Sequence, residues 1–262
     1  LGDISRRMAE TLAEADFIAA EDTRVTVKLL NHLELKKPMV TYHRHNTETA
    51  GPAILTRLLA GESCALVTDA GTPAISDPGE DLVALCAEAG VTVCAVPGPC
   101  ALVTALSVSG LPTARFTFEG FLPMNRKNRR AQLGSLRLET RTMIFYEAPH
   151  KLLSTLEDLA EAFGPDRRLS VCRELTKLHE EVLRTTVGGA LAHFEGTQPK
   201  GEFVLVLEGA APAEQAAGDP DAALERVNRL REEGLSLKEA AVQAAAEFGL
   251  KKKQLYDMAI GK

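Results

Sequence analysis

Tryptophan is absent, and only three tyrosines and nine phenylalanines occur among 262 residues. So few aromatic faces offer little with which to build a broad apolar trough for a large flat ring. No apolar run approaches the roughly 20 residues that a membrane helix needs, and the chain does not open on the basic-then-apolar pattern of a secretion signal. The five cysteines (Cys64, Cys86, Cys94, Cys100 and Cys172) are odd in number, and none forms a C-x-x-C pair. A disulfide frame and a zinc site are therefore not indicated; the cysteines read as reduced core residues of a cytoplasmic protein. The two common nucleotide signatures, G-x-x-x-x-G-K-[ST] and G-x-G-x-x-G after a strand, are also missing.

What is present is 45% hydrophobic residues and a net charge of −6, enough apolar material for two domains. The most informative stretch is Thr68-Asp69-Ala70-Gly71-Thr72-Pro73-Ala74-Ile75-Ser76-Asp77-Pro78-Gly79. It follows the apolar run Cys64-Ala65-Leu66-Val67 and precedes a helical pattern from Glu80. Its glycines, prolines and aspartates suit neither helix nor strand, so it reads as a shaped loop after a buried parallel strand, where open α/β sheets bind ligands. A second apolar run, 91–96, leads into Pro97-Gly98-Pro99, so the same device is expected twice, with a shared pocket.

Periodicity divides the chain. Over 1–112, helices (5–15, 23–33, 48–60) alternate with strands (17–20, 39–42, 64–67, 91–96), which argues for a parallel sheet covered on both faces. Over 113–209, strands at 116–121, 142–146, 169–172, 182–186 and 202–207, with helices at 151–163 and near 189–194, predict a mixed sheet. Residues 210–221 read as a linker. The remainder, 222–262, reads as helices 222–233, 236–248 and one from 251, with Ser236 and Glu239 forming a capping box. Helix, Gly249-centred turn, basic helix fits both a helix-turn-helix and a plain hairpin capping the fold.

Several runs together are specific. They are Glu21-Asp22-Thr23-Arg24, Tyr42-His43-Arg44-His45-Asn46, the 69–79 loop, Pro97-Gly98-Pro99 and Gly120-Phe121-Leu122-Pro123. Further on come Phe145-Tyr146-Glu147-Ala148-Pro149-His150, Arg173-Glu174-Leu175-Thr176-Lys177 and Lys200-Gly201-Glu202-Phe203-Val204. In this order they resemble the tetrapyrrole methylase superfamily, and within it the family that methylates a cytidine ribose 2′-hydroxyl in small-subunit (16S) ribosomal RNA. The resemblance implies two α/β domains with S-adenosylmethionine in the cleft between them. It also implies a homodimer, and ribosomal RNA or the small ribosomal subunit as partner, with no membrane. That family opens with an apolar strand and a Pro-Ile-Gly-Asn turn, and this sequence starts at Leu1-Gly2-Asp3-Ile4, where that turn ends. A preceding strand is therefore expected, since without it the sheet would show an exposed edge and the pocket would lack a wall.

The resemblance places the cofactor against Asp69, Ala70, Gly71, Thr72 and Pro73, against Pro97, Gly98 and Pro99, and, from the second domain, against Tyr146, Glu147, Gly201, Phe203 and Val204. Phe203 fits an ordinary buried strand position equally well. A ribose hydroxyl is a weak nucleophile, so a base or a cation that favours the alkoxide is expected. Candidates by chemical type are Glu21, Asp22, His43, His45, Glu174 and Lys177, of which Glu21, His43 and Lys177 lead. His43 and His45 share the spacing of a metal pair but have no matching third ligand, so no metal is expected. Arg24, Arg173 and Lys177 are expected, on the other hand, to grip phosphate. The run Arg126-Lys127-Asn128-Arg129-Arg130 is either a solvated helix face or an RNA-phosphate contact, and its place near the expected cleft favours RNA. Two alternatives stay in view: a tetrapyrrole carbon methyltransferase, and a non-catalytic RNA-binding assembly factor.

Overall fold

The computed structural model describes residues 1–211, 220–232, 234–248, 250 and 252–260. The chain opens with α1 (Arg6–Glu14), whose N-cap Ser5 accepts a hydrogen bond from Met8 N. It continues through β1 (Phe17–Ala20), α2 (Thr23–His32), β2 (Met39–Thr41), α3 (Thr47–Leu59), β3 (Cys64–Val67) and α4 (Glu80–Glu88). The three strands make one parallel sheet in the order β2-β1-β3, with Ile18 opposite Met39 and Ala65.

Central strand β1 is buried on both faces, which is why it reads Phe-Ile-Ala-Ala without alternation. Ile18 and Ala20 pack with Leu12 of α1 and Leu30 of α2, while Phe17 and Ala19 pack with Ile54 of α3 and Leu82 of α4. Burying a side chain the size of Phe17 or Ile18 stabilises the fold by about 1.5–3 kcal/mol. Alternate residues of one strand thus hold helices on opposite faces.

The expected strand at 91–96 does not form. Among the described residues this segment belongs to no sheet, and positions 92–95 are exposed, Val93 to 50%. The apolar run therefore makes no sheet ladder among the described residues, although Val91 packs beside Cys64 and Leu66 of β3. Cys94 is accordingly exposed rather than in the core, while Cys86 and Cys172 are buried.

A helix the periodicity missed, α5 (Ala101–Val108), follows Pro99-Cys100. It leads to the second sheet through β4 (Phe116–Phe121), α6 (Arg126–Ser135), β5 (Thr142–Glu147), α7 (Leu152–Phe163), β6 (Arg168–Arg173), β7 (Glu181–Thr186), α8 (Val187–Phe194) and β8 (Phe203–Leu207). The order is β4-β5-β8-β6-β7, with β4 and β5 parallel and the other pairs antiparallel, the mixed sheet the pattern implied. One face carries Met143, Phe145, Phe203 and Leu205 against Leu156 and Leu159 of α7 and Val187 of α8. The other carries Ile144, Val204 and Val206 against Leu102, Ala105 and Leu106 of α5.

Three helices close the chain: α9 (Pro220–Glu232), α10 (Leu237–Phe248) and α11 (Lys252–Ala259). They share their own core of Ala223, Val227, Leu230, Ala240, Ala244 and Leu255. The capping box is reciprocal, as Glu239 N donates to Ser236 Oγ at 3.3 Å and Ser236 N to Glu239 Oε2 at 3.1 Å. Most of the expected linker (212–219), Glu233, Gly249 and Lys251 lie outside the described residues. No described helix is long and apolar enough to cross a membrane.

Candidate active site

The parallel sheet brings the ends of β1, β2 and β3 to one edge, and side chains join the segments that follow them. Asp69 N donates to Glu21 Oε2 at 3.3 Å, and the Arg44 guanidinium donates to the Ser76 carbonyl. His43 N donates to Asn46 Oδ1 at 2.8 Å, which fixes the turn after β2. The 69–73 loop is tied in turn to the 97–99 loop, because Thr72 Oγ1 donates to the Pro99 carbonyl at 3.0 Å. The two loops therefore meet although the strand expected before the second one is missing. Asp69, Ala70 and Gly71, like Pro97, Gly98 and Pro99, are exposed residues.

The second sheet meets these loops through Tyr146. Its hydroxyl accepts the Leu102 N–H at 3.0 Å, just past the 97–99 loop, and edge-to-face contacts with Phe118 and Phe121 hold its ring. Burial, with the nearby Cys100 thiol, pushes the phenol pKa up to about 12, so the hydroxyl keeps its proton. Phe121 is 53% exposed beside it, an apolar surface that strand periodicity did not single out as functional.

Two expected cofactor contacts face the wrong way as side chains. In β5 and β8, Tyr146 and Val204 point toward α5, so Glu147 and Phe203, one residue along, point to the opposite face. Glu147 is buried; its carboxylate accepts from Thr155 Oγ1 at 2.5 Å and from Ala148 N at 2.8 Å. Phe203 packs edge-to-face on Phe194. Only their backbones remain for a ligand. Gly201 is also closely backed: a Cβ there would lie 2.5 Å from Glu174 Cγ.

The candidate bases separate into different environments. Burial, then Asp77 and Asp69, raise the Glu21 pKa above the usual carboxylate range, which makes it a better proton acceptor. His43 is half-buried, and its Nδ1 has no hydrogen-bond partner among the described residues. Asp22 is held at about 2 by Arg24, and it caps α2 by accepting from Arg24 N at 2.8 Å. Lys177 is a clamped cation: its Nζ donates to Glu202 and Glu174, both at 2.9 Å, and these bonds raise its pKa. It is thereby excluded as a base, because its proton is held by two carboxylates. Within this loop Glu174 and Thr176 have φ 49° and 62°, unusual values for residues other than glycine. No hydrogen bond or ion pair joins this cluster to Glu21 or His43 among the described residues.

The basic run is not the free phosphate surface the sequence suggested. Arg126, Arg129 and Arg130 all converge on Asp158 of α7, at 3.2, 2.7 and 3.0 Å, and Arg130 also pairs with Glu161. Arg129 is 5% exposed and Asp158 1%. Only Lys127 of the run is exposed with no partner among the described residues. Arg173 braces the end of β6, donating to the Lys200 carbonyl at 2.7 Å and pairing with Glu181. Arg24 rests on Asp22 with its side chain 88% exposed, a weak pairing that a phosphate can displace. No group of three or more His, Cys, Asp or Glu suited to a metal ion occurs among the described residues.

The family described as tetrapyrrole (corrin/porphyrin) methylases matches residues 1–191, and the one described as the RsmI C-terminal HTH domain matches 216–262. The chain is 47% identical over 260 residues to the ribosomal RNA small subunit methyltransferase I of Synechocystis, covering 99% of this chain and 93% of that one. It is 45% identical over 262 residues to the protein of that name from Escherichia coli O157:H7, covering 99% and 91%. Among solved structures it is similar to uroporphyrin-III-C-methyltransferase from Thermus thermophilus, with TM-score 0.55 and 20% identity over 78% of this chain and 88% of that one. It is also similar to the methyltransferase CobJ, with TM-score 0.58 and 18% identity over 80% and 90%. The structural likenesses establish the fold alone.

Proposed function

Since the chain belongs to the tetrapyrrole methylase family, we propose that it methylates the ribose 2′-hydroxyl of a cytidine in small-subunit (16S) ribosomal RNA. It is an S-adenosylmethionine-dependent methyltransferase, as the family and its close relatives are. The observation that carries the reading is the joint between Thr72 and Pro99, which sets two exposed loops side by side against Tyr146.

These residues fit the donor. Asp69, Ala70, Gly71 and Gly98 are exposed residues on the two loops, the Tyr146 hydroxyl retains its proton, and Phe121 adds an apolar flank. When bound, S-adenosylmethionine supplies an electrophilic methyl group on its sulfonium, and the protein's task is to hold it, exclude water and aim the acceptor. Glu21 takes the hydroxyl proton in this reading, with His43 as its neighbour on the sheet edge. Arg24 and Lys127 meet phosphate, while Arg173 and Lys177 hold the 173–177 loop in shape. The division at 1–112, 113–209, 210–221 and 222–262, a homodimer and a cytoplasmic location belong to the same proposal.

The test is methyl transfer from labelled S-adenosylmethionine to small ribosomal subunits, naked 16S RNA and a porphyrinogen. Label recovered as 2′-O-methylcytidine is the expected result; label on a base or in the porphyrinogen overturns it. Calorimetry with S-adenosylmethionine distinguishes an enzyme from a non-catalytic RNA-binding factor, which would show no binding heat.

A further outcome concerns the pocket itself. Gly71 sits at φ +79° with its missing Cβ directed to within 3.9 Å of the Pro99 carbonyl. Gly71→Leu is therefore expected to fill the gap between the loops and abolish S-adenosylmethionine binding while the protein remains folded. Unaltered binding heat in that variant would move the cofactor elsewhere.

A further inference from the structure

We propose that the hollow formed by Lys238, Lys252, Lys253 and Tyr256 on the C-terminal helices docks single-stranded RNA, with phosphates on the lysines and a base on the tyrosine ring. The inference rests on ribosomal RNA being the substrate, and it assigns a second contact for that substrate.

The hollow measures about 330 Å³ and is lined by these four residues. Lys252 and Lys253 open α11, and Tyr256 follows at four and three positions, so the three share one face of the helix. Lys238 approaches from the first turn of α10. Leu255, the next residue to Tyr256, fills the module's core, which leaves the Tyr256 ring outward and 36% exposed. The three lysines are exposed, and none has an ion pair or hydrogen bond among the described residues.

Three exposed lysines with no ion pair among the described residues line this hollow with their stems, on a chain whose net charge is −6. Such a patch selects a polyanion. The contrast with the other basic run sharpens the point, since Arg126, Arg129 and Arg130 are occupied by Asp158 and these lysines are not. A polyanion alone needs no aromatic wall, however. An exposed ring between cations matches an unpaired base flanked by its phosphates, because every base has a face that stacks. Duplex RNA keeps its bases paired and would offer this hollow only backbone. The volume falls in the range of small-ligand clefts, about 300–1,000 Å³, which suits a nucleotide and not a folded helix.

The experiment uses the full chain, an unstructured RNA oligonucleotide and small ribosomal subunits. Replacing Lys238, Lys252 and Lys253 together by Ala is expected to reduce the slope of log affinity against log salt for the oligonucleotide by about 2, since roughly 0.7 counterion is released per single-strand phosphate contact. Tyr256→Ala is expected to weaken binding about 5- to 150-fold with the slope unchanged, and Tyr256→Phe to bind as wild type does. The triple Lys→Arg variant keeps the charge and the slope, which separates lost contacts from lost folding. On subunits the Ala variants should raise KM and leave kcat near the wild-type value. Should the wild type methylate subunits while the variants match its slope and affinity, this site is refuted and the function stands. Weaker subunit binding with an unchanged oligonucleotide slope would assign the surface to a protein and also refute it. A wild type that labels no RNA refutes the function itself.

Discussion

Asp158→Asn should lower the unfolding free energy by about 3–5 kcal/mol, the loss typical when one partner of a buried ion pair is removed. The cause is the arrangement on α6 and α7. One carboxylate, 1% exposed, accepts from three guanidiniums, and one of these, on Arg129, is itself buried. Removing the charge leaves Arg129 buried without a counter-ion and Arg126 and Arg130 repelling each other across the same space. Urea unfolding at neutral pH measures the loss. Burial alone would raise the Asp158 pKa, but the hydrogen bonds from Arg130, Arg129 and Arg126 outweigh it and lower the value below that of an ordinary aspartate. A lowered carboxylate pKa means the stabilisation is complete above the unfolded value and is lost as pH falls through the folded one. The wild-type advantage over Asp158→Asn should therefore persist to mildly acidic pH and disappear only below about 4. A loss under about 1 kcal/mol would mean that solvent screens these charges, and the arginines would again be free to meet RNA.

Glu21→Gln should slow methyl transfer by about 10²- to 10⁴-fold in a single turnover at saturating RNA, the usual contribution of a positioned base. Cofactor affinity should remain near normal, because the Asp69 N–H that Glu21 accepts can still be accepted by the amide oxygen. The pH profile adds a second readout. Burial and the neighbouring Asp77 and Asp69 raise the Glu21 pKa, so the wild-type rate should climb with pH through a value above the ordinary glutamate range. In Glu21→Gln that limb should vanish. His43→Ala, which removes a half-buried ring with an unpartnered Nδ1, tests whether a second group shares the proton. The rival account is that orientation suffices, since a sulfonium is already a strong methyl donor. Rates within a few-fold of wild type for both variants would decide for orientation.

Much of the layout was legible because it rests on local pattern. Buried β1 announced itself by an unbroken apolar run, the 68–79 loop by its Gly and Pro content, and the α10 start by Ser236 and Glu239. What failed depended on partners distant in sequence. Residues 91–96 have strand composition but pair with no strand among the described residues, and α5 has no side-chain cap to mark its start. The basic run looked free because Asp158, which holds three of its arginines, lies 28 to 32 residues further on. Lys177 looked like a candidate base because nothing in its own run reveals that Glu202 clamps it. Side-chain direction in β5 and β8 was recoverable: one period-2 alternation sends Tyr146 and Glu147 to opposite faces.

The bond from Leu102 N to the Tyr146 hydroxyl has a mechanical consequence. Helix α5 belongs to the first half of the chain by sequence, yet it lies on the second sheet, packed on Ile144, Val204 and Val206. The 97–99 loop is thus anchored to the second sheet, and among the described residues one hydrogen bond, from the Thr72 hydroxyl, joins it to the 69–73 loop, with a second from Ser5 tying it to the start of α1. Any widening of the gap between the sheets pulls the two loops apart at that point. In the proposed site, a ligand lying across both loops would bridge the two sheets at this joint and hold them together, as a rivet does.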